Sequence, residues 1–270
     1  MISMLWGIAT LSQVRGGPIQ ETSIQHAGAG FRILRVDPSR IVLVWKDANG
    51  VPLRSFEKAL ETVEAKGHRV AYLMNAGIFE PGCIPSGLHI EDGKILRPLN
   101  LANAPGNFFL KPNGVFWIHE ASAAPSSKTE SANSSAPKRE ARIAPSETFA
   151  AMIANKAGVP SKTHHALQSG PLLLINGKRH PAFKNGSPNK LRRNGIGIDD
   201  QGQVILAITD DQSDVNLYDF AGLFLKLKCQ NALFLDGTIS QLAKRPPASS
   251  GAPVFAPSTQ QFAGIIVITE

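Results

Sequence analysis

Short apolar runs separated by turn-forming residues are the feature that most restricts how this chain can fold. Segments such as residues 41–46 and 204–209 are rich in β-branched residues, which favour strands. Turn-forming pairs such as Asn176-Gly177 stand between such runs, and residues 31–36 and 41–46 are predicted to form one hairpin across a Pro-containing turn. The sequence therefore predicts an α+β fold, a single domain in which a mixed, largely antiparallel sheet carries a few packed helices.

Three segments show the helical spacing of apolar residues. The first has Ser55 as its cap and Gly67 at its end, the second spans about residues 146–157, and the third spans residues 216–228. The first and third each precede an apolar strand.

The chain has 270 residues, a length at which one or two domains are possible. Residues 121–147 are rich in Ala, Ser, Pro and charge and lack apolar periodicity, so we expect a disordered surface insertion there. The interpretation is a single domain over residues 28–270 with this insertion inside it. Residues 1–20 contain an apolar stretch as long as a signal-peptide core, without a basic start, and are expected to be an export-signal remnant or a flexible amino terminus.

The net charge of +7 and the isoelectric point near 9.5 favour anionic partners, including phosphate esters, polyanionic cell-surface polymers and nucleic acid. No run of Lys and Arg is dense enough to form a nucleic-acid-binding stripe. No segment beyond the amino terminus approaches the roughly twenty apolar residues that a membrane-spanning helix needs. We expect no nucleic-acid partner and no membrane span.

Several catalytic motifs are absent from the sequence. It has no G-x-S-x-G, no H-E-x-x-H and no G-x-G-x-x-G opening a helix, and nucleotide-dependent chemistry is not supported. The two cysteines, Cys83 and Cys229, have no metal-type spacing. They are either two buried free thiols or a disulfide formed in an oxidising compartment.

Polar residues and glycines are embedded in several apolar runs of the sequence. Two of these runs are strands, predicted to follow helices, that end at Asn75 and at Asp236, and we expect these ends to meet because loops at strand ends gather side chains into sites. A purely structural interpretation, with glycines in turns and Asn or Asp as caps, stays open for each residue alone. The runs are NAGIF at 75–79, QSGPLLL at 168–174, RNGIGI at 193–198, ITDD at 208–211 and LFLDGTIS at 233–240.

Taken in order from about Tyr72 to the carboxyl terminus, these segments resemble the phosphodiester glycosidase family, and most closely its small bacterial exported branch. The segments GNFFLKPNGVF and NALFLDGTISQL add to the resemblance. Where many members read L-D-G-G-G-S, this chain reads L-D-G-T-I-S, which stiffens the loop. The substrate of the mammalian members is therefore not carried over.

The resemblance implies a hydrolase that cleaves a sugar-1-phosphodiester at the anomeric C–O bond and releases a free sugar and a phosphate monoester. Phosphate is already a good leaving group, so donors that stabilise its charge matter more than an acid. We expect Asp236, then Asp210, to be the catalytic carboxylate, with Glu80 and Asp211 in reserve. Arg193 is the expected phosphate clamp. The residues expected to assist phosphate binding, bind the sugar or orient the carboxylates are Gly170, Gly237, Asn75, Gln168, Ser169, Asn194 and Ser240.

Two alternative functions stay open at this point. The first is a metal-dependent phosphoesterase in which Asp210, Asp211 and Asp236 hold a divalent cation, whereas the glycosidase interpretation requires no cofactor. The second is a non-catalytic protein that binds cell-wall or capsular glycans. The substrate of the glycosidase would be a small or polymeric sugar phosphodiester. Because the family is commonly exported, we expect a periplasmic or secreted location, with the cytoplasm as the alternative.

Overall fold

The structure is a computed structural model that describes residues 17–121, 137–154, 162–246 and 260–270. The amino-terminal apolar stretch and most of the predicted insertion lie outside these residues. Within them the chain forms three α-helices and eighteen strands. The helices are α1 (Phe56–Glu64), α2 (Ser146–Ala154) and α3 (Leu217–Lys226). The strands are β1 (Gln20–His26), β2 (Ala29–Val36), β3 (Ile41–Val44), β4 (Val70–Asn75), β5 (Phe79–Glu80), β6 (Ile84–Pro85), β7 (His89–Glu91), β8 (Lys94–Arg97), β9 (Gly114–Glu120), β10 (Arg139–Pro145), β11 (Thr163–Ser169), β12 (Leu172–Ile175), β13 (Lys178–Arg179), β14 (Asn194–Ile198), β15 (Val204–Thr209), β16 (Asn231–Asp236), β17 (Leu242–Lys244) and β18 (Ile265–Thr269).

The strands form three larger sheets and one small hairpin. The order is β1-β2-β15-β14-β16-β12-β13 in the first sheet, β10-β9-β11-β7-β8 in the second and β17-β4-β18-β3 in the third, while β5 pairs with β6. Every strand pair among the described residues is antiparallel. The predicted α+β class is confirmed in this broad form, although the sheets dominate and no parallel pair occurs in this part of the chain.

The three sheets enclose one central hydrophobic core. Leu34 and Leu235 reach it from the first sheet, Phe116 from the second and Met74 from the third, and all four side chains are buried. Burial of such a shared apolar core is the main favourable free energy of folding. A core common to all three sheets agrees with the predicted single domain.

Each α-helix covers the outer face of one sheet. The apolar stripe of α3, with Phe220 and Phe224, packs on the first sheet, Phe149 of α2 packs against Trp117 of the second, and Phe56 of α1 packs on the third. The predicted cap of α1 is confirmed, because Ser55 accepts a hydrogen bond from the Lys58 amide. The structure adds a cap for α3, where the Asn216 side chain accepts from the Asp219 amide.

The predicted hairpin of residues 31–36 and 41–46 was wrong. Strand β2 belongs to the first sheet and β3 to the third, and a 3₁₀ turn at Pro38–Arg40 carries the chain from one sheet to the other. The turn signal was correct, but the strand partners are chosen by tertiary packing: β2 pairs with β1 and β15, and β3 pairs with β18.

The predicted insertion was too long, and the predicted domain start was too late. Residues 139–145 form strand β10, which pairs with β9 along its whole length, and Ser146 begins α2. At the other end, β1 pairs with β2 before residue 28. Cys83 and Cys229 are both buried free thiols. None of the helices in the described ranges is both long and apolar enough to cross a membrane.

Candidate functional site

The two strand ends that the sequence pointed to meet at Asn194, the first residue of β14. Asn194 pairs with Asp236 of β16, whereas the next residue, Gly195, pairs with Phe234. Leu235 is therefore the extra residue of a β-bulge, a device that redirects side chains at strand ends. The bulge brings the backbone of Asp236 opposite the side chain of Asn194.

The side chain of Asn194 is fully buried, and protein groups occupy both of its polar atoms. Its Oδ1 accepts a hydrogen bond from the Asp236 amide at 2.8 Å and lies 3.1 Å from the Ser240 hydroxyl. Its Nδ2 lies 2.8 Å from the carbonyl oxygen of Asn75 and 3.1 Å from Oδ1 of Asn75. Asn194 thus joins β4, β14 and β16, and its geometry is that of a residue that positions its neighbours.

Asn75, the last residue of β4, is also buried but leaves one donor unused. Its Oδ1 accepts hydrogen bonds from Asn194 and, at 2.8 Å, from the amide of Gln241. Its Nδ2 is buried and has no hydrogen-bond partner among the described residues. An unsatisfied buried donor costs about 1–3 kcal/mol.

The turn after β16 is held by the Ser240 hydroxyl. This hydroxyl lies 2.6 Å from the carbonyl oxygen of Gly237 and 3.1 Å from that of Asp236, and Ser240 is 1% exposed. The Gly237 amide donates to the Asp236 carboxylate at 2.7 Å. In this conformation neither Ser240 nor the Gly237 amide has the unused donor that direct binding of a sugar or phosphate would need.

Asp236 has the properties of a carboxyl group that changes protonation near neutral pH. Burial raises its pKa to about 6, against the hydrogen bond from Gly237, which lowers it. Asp236 as a whole residue is partly exposed. A carboxyl with this pKa is mostly ionised at pH 7 and can still accept a proton, as a general base requires.

Two residues of the QSGPLLL segment are used for structure. Gln168 is 2% exposed and satisfies both polar atoms: Oε1 accepts from the amides of Leu88 and Asn100, and Nε2 donates to Asn100 and Ser146. The Ser169 hydroxyl donates to the carbonyl oxygen of Leu235 at 3.0 Å and accepts from the Ile78 amide at 3.3 Å. Ser169 therefore ties the loop after Asn75 to the bulge, while Gln168 supports the neighbouring sheet.

Two of the expected phosphate-binding groups are placed elsewhere by the structure. Arg193, which immediately precedes β14, is 1% exposed and packs beside Phe234; its guanidinium donates to the carbonyl oxygens of Val215 and Asn189, and its buried Nη1 has no hydrogen-bond partner among the described residues. Burial lowers its pKa to about 10. A side chain added at buried Gly170 would collide with the loop at residues 107–113. In this conformation Arg193 is enclosed by protein groups, and Gly170 is packed against the loop before β9.

The remaining predicted carboxylates do not join Asp236. Asp211 is exposed and paired with Arg192, Asp210 lies against Gly30 at the end of β2, and Glu80 lies on the surface 3.9 Å from Arg97. Among the described residues, no three His, Cys, Asp or Glu side chains come close enough together to hold a metal ion. The predicted cluster of Asp210, Asp211 and Asp236 is therefore not formed.

Arg192 is a residue of the site that the sequence analysis missed. Its Nε donates to the carbonyl oxygen of Ser240 at 2.6 Å, and its Nη1 lies 2.7 Å from the Asp211 carboxylate. The signal was available in the sequence: side chains alternate along an extended strand, so residue 192, not 193, shares the face of Asn194.

The glycines of the RNGIGI segment serve packing against α3. A Cβ atom at Gly195 would lie 3.1 Å from Phe220, and one at Gly197 would lie 2.7 Å from Phe224. A larger residue at Gly197 would require Phe224 or Cys229 to move, whereas one at Gly195 would require its neighbours to shift by a few tenths of an ångström. The segment therefore presents Asn194 to the site on one face and admits α3 on the other.

Comparison with known proteins decides the family. The model of the phosphodiester glycosidase family matches residues 68–254, a range that includes Asn75, Asn194, Asp236 and Ser240. The chain belongs to the phosphodiester glycosidase family. The resemblance noted in the sequence is thereby confirmed, and membership of the phosphodiester glycosidases implies a hydrolase.

Relatives of this phosphodiester glycosidase include a bacterial protein and two solved structures. The uncharacterized Escherichia coli (strain K12) protein YigE is 31% identical over 204 residues, which cover 75% of this chain and 69% of YigE. The catalytic domain of zebrafish N-acetylglucosamine-1-phosphodiester alpha-N-acetylglucosaminidase, auto-inhibited by its pro-peptide, is 18% identical, with a TM-score of 0.58 over 94% of this chain and 82% of that one. A hypothetical protein from Synechocystis is 14% identical, with a TM-score of 0.52 over 93% of this chain and 61% of its own. At these identities the two structures show a shared fold.

Proposed function

We propose that this protein hydrolyses a sugar-1-phosphodiester at the anomeric C–O bond and releases a free sugar and a phosphate monoester. Family membership supports the reaction class. The observation that carries the proposal is the Asp236 carboxyl, whose pKa burial raises to about 6 and whose backbone Asn194 fixes beside Asn75. Such a group is positioned and tuned to accept a proton from water.

Asp236 acts in this proposal as the carboxylate that activates water or stabilises the oxocarbenium-like transition state. The leaving phosphate carries its own negative charge and needs little proton donation, so one carboxylate is enough where ordinary glycosidases use two. The unused Nδ2 donor of Asn75 is available for a substrate oxygen once the substrate has entered. Asn194 and Ser240 keep the turn in place during the reaction.

The bond that is cleaved can be tested directly with isotopic water. The purified protein is incubated with α- and β-linked sugar-1-phosphodiesters in oxygen-18 water, with and without chelator, and the products are read by mass spectrometry. Label in the released sugar is the expected result, because it reports attack at the anomeric carbon. Label in the phosphate would instead establish cleavage of the P–O bond and contradict the proposal.

The same assay separates the candidate carboxylates. We expect Asp236→Asn to lower kcat by about a hundredfold or more, the usual contribution of general acid–base catalysis. Asp210→Asn and Glu80→Gln are matched controls that each remove one charge from a carboxylate away from Asp236. If Asp210→Asn lowers kcat as much as Asp236→Asn does, Asp210, which follows β15, takes part in catalysis as well.

The two alternative functions are decided in the same experiment. Activity that disappears in chelator, with label in phosphate, would identify a metal-dependent phosphoesterase, and glycan binding without any product would identify a binding protein. We propose no nucleic-acid partner. A periplasmic or secreted location remains a proposal from the family, which is commonly exported, and fractionation of cells that produce the full chain tests it.

A further inference from the structure

We infer that Arg192 binds the phosphate group of the substrate and that Asp211 is its counter-ion before substrate binds. This inference rests on the proposed function and names the residue that recognises the phosphate. It replaces Arg193, whose guanidinium is buried.

The position of Arg192 supports this role. Its Nε donates to the carbonyl oxygen of Ser240 at 2.6 Å, and the hydroxyl of Ser240 lies 3.1 Å from the carbonyl oxygen of Asp236. The guanidinium therefore lies against the same short turn that begins at Asp236. A phosphate bound by Arg192 would therefore lie beside the turn that carries Asp236.

The guanidinium of Arg192 has donors to spare. An arginine carries five N–H groups in a planar fork. One of them is used by Ser240 and one by Asp211, and no further hydrogen bond of this group is found among the described residues. The side chain is 25% exposed. The unused donors can therefore form the paired N–H···O bonds by which arginine recognises phosphate.

Asp211 orients the guanidinium of Arg192 but binds it only weakly. The Asp211 side chain is 90% exposed, and an ion pair in contact with water is weak. A phosphodiester that also makes contacts elsewhere in the site can displace this carboxylate or bind beside it. Arg32 and Lys244 are less available than Arg192, because the Glu21 carboxylate that pairs with both is only 28% exposed, whereas Asp211 is 90% exposed.

The test measures binding of inorganic phosphate to the full chain by isothermal titration calorimetry at fixed ionic strength. We expect Arg192→Gln to raise the dissociation constant at least tenfold. Arg69→Gln is the matched control, because Arg69 is a surface arginine paired with Glu270 at the opposite end of β4 from Asn75, and its removal should change the constant less than twofold. Equal binding by wild type and Arg192→Gln, or no measurable binding by wild type, would overturn the inference.

A second variant keeps the inference testable if Arg192→Gln fails to fold. Asp211→Asn removes the competing carboxylate, so we expect it to bind phosphate severalfold more tightly than wild type. Unchanged or weaker binding in Asp211→Asn would count against Asp211 as the counter-ion and Arg192 as the phosphate ligand. Because this readout needs no turnover, it is independent of the labelling experiment: phosphate binding that depends on Arg192, together with label in phosphate, would leave this inference standing and overturn the glycosidase proposal.

Discussion

The side-chain oxygen of Asn194 accepts a hydrogen bond from the backbone amide of Asp236 at 2.8 Å. A side chain from one strand thereby takes over a backbone bond that the bulge at Leu235 removes from the regular ladder. The side-chain nitrogen Nδ2 of Asn194 also donates to the carbonyl oxygen of Asn75. One buried residue therefore fixes the distance between the ends of β4 and β16. The position of the Asp236 carboxylate depends on this bridge.

Replacement of Asn194 by alanine should affect both stability and catalysis. The change leaves the Asp236 amide without its acceptor and the Asn75 carbonyl without the Asn194 donor, whereas the Ser240 hydroxyl keeps the carbonyl oxygens of Gly237 and Asp236 as acceptors. We expect the free energy of unfolding to fall by about 2–4 kcal/mol. We also expect kcat to fall more than KM rises, because Asp236 loses its position. The control is Asn231→Ala at the other end of β16, where only the bond to the Asn176 amide is lost. Equal kcat for wild type and Asn194→Ala would show that the bridge does not position Asp236.

Asp236→Asn should make the folded protein more stable at neutral pH while removing activity. Because burial raises the folded-state pKa of Asp236 from 3.8 to about 6, the ionised carboxylate opposes folding above pH 6. The folded state binds a proton more tightly than the unfolded state, so wild-type stability falls as pH rises from about 4 to 6. The neutral amide of Asp236→Asn avoids this cost, and we expect its free energy of unfolding at pH 7 to exceed that of wild type by roughly 1–3 kcal/mol. Urea unfolding at pH 4 and pH 7 checks it, and a gain of equal size at both pH values would contradict the explanation.

The strand ends could be predicted from the sequence because their signal is local. An apolar strand that ends in Asn-Ala-Gly or Asp-Gly needs a loop there, and both loops lie at the site, joined through Asn194. The helix cap at Ser55 was predictable for the same reason. Strand partners were not, because β2 and β3 find theirs in distant parts of the chain.

The roles of individual side chains were harder to predict than the location of the site. Gln168 and Arg193 belong to motifs that resemble the family, yet the hydrogen bonds that each makes are to neighbouring protein groups, mostly backbone. The strand β10 was missed because Arg139–Pro145 is polar and lies at a sheet edge, where pairing through the backbone to β9 suffices. Because side chains alternate along an extended chain, the assumption that Asn194 faces the site would have assigned Arg192, and not Arg193, to the same face.

The pH dependence of activity should report the protonation of Asp236. If the carboxylate accepts a proton from water, kcat/KM falls about tenfold per pH unit below pH 6, because only the ionised form is active. The measurement is a pH–rate profile on the best substrate of the labelling panel, at pH values where unfolding has been excluded. Activity that rises as pH falls from 7 to 5 would show that Asp236 acts as an acid.

Gly77, in the loop after Asn75, should not tolerate even a methyl group. An added Cβ would lie 2.8 Å from the Cβ of Ser169 and 3.1 Å from the carbonyl oxygen of Gln168. We expect Gly77→Ala to cost about 1–3 kcal/mol of stability, as overpacking usually does, and to weaken the bond between Ser169 and the Ile78 amide. Gly237→Ala is the stability control, because the nearest atom to its added Cβ is 4.0 Å away. Equal melting temperatures for the two variants would refute the steric argument.

Glu21 should make the protein sensitive to strong acid. Burial raises the pKa of this carboxyl, but hydrogen bonds from Arg32, Lys244 and Tyr72 outweigh that effect and lower the pKa from 4.5 to about 2. Because the folded pKa is depressed, the contribution to stability is fully present above pH 4.5 and is lost as pH falls through about 2.

The Glu21 cluster joins β1 and β2 of the first sheet to β4 and β17 of the third, so its loss should weaken the contact between the two sheets beside the turn at Ser240. We expect Glu21→Gln to lower the free energy of unfolding at pH 7 by about 2–3 kcal/mol and by much less near pH 2. Glu270→Gln is the control, because its partner Arg69 is largely exposed and such pairs contribute little. Urea unfolding of both variants across this pH range is the measurement, and a difference between Glu21→Gln and wild type that stays constant with pH would mean that the effect arises from packing and not from the charge.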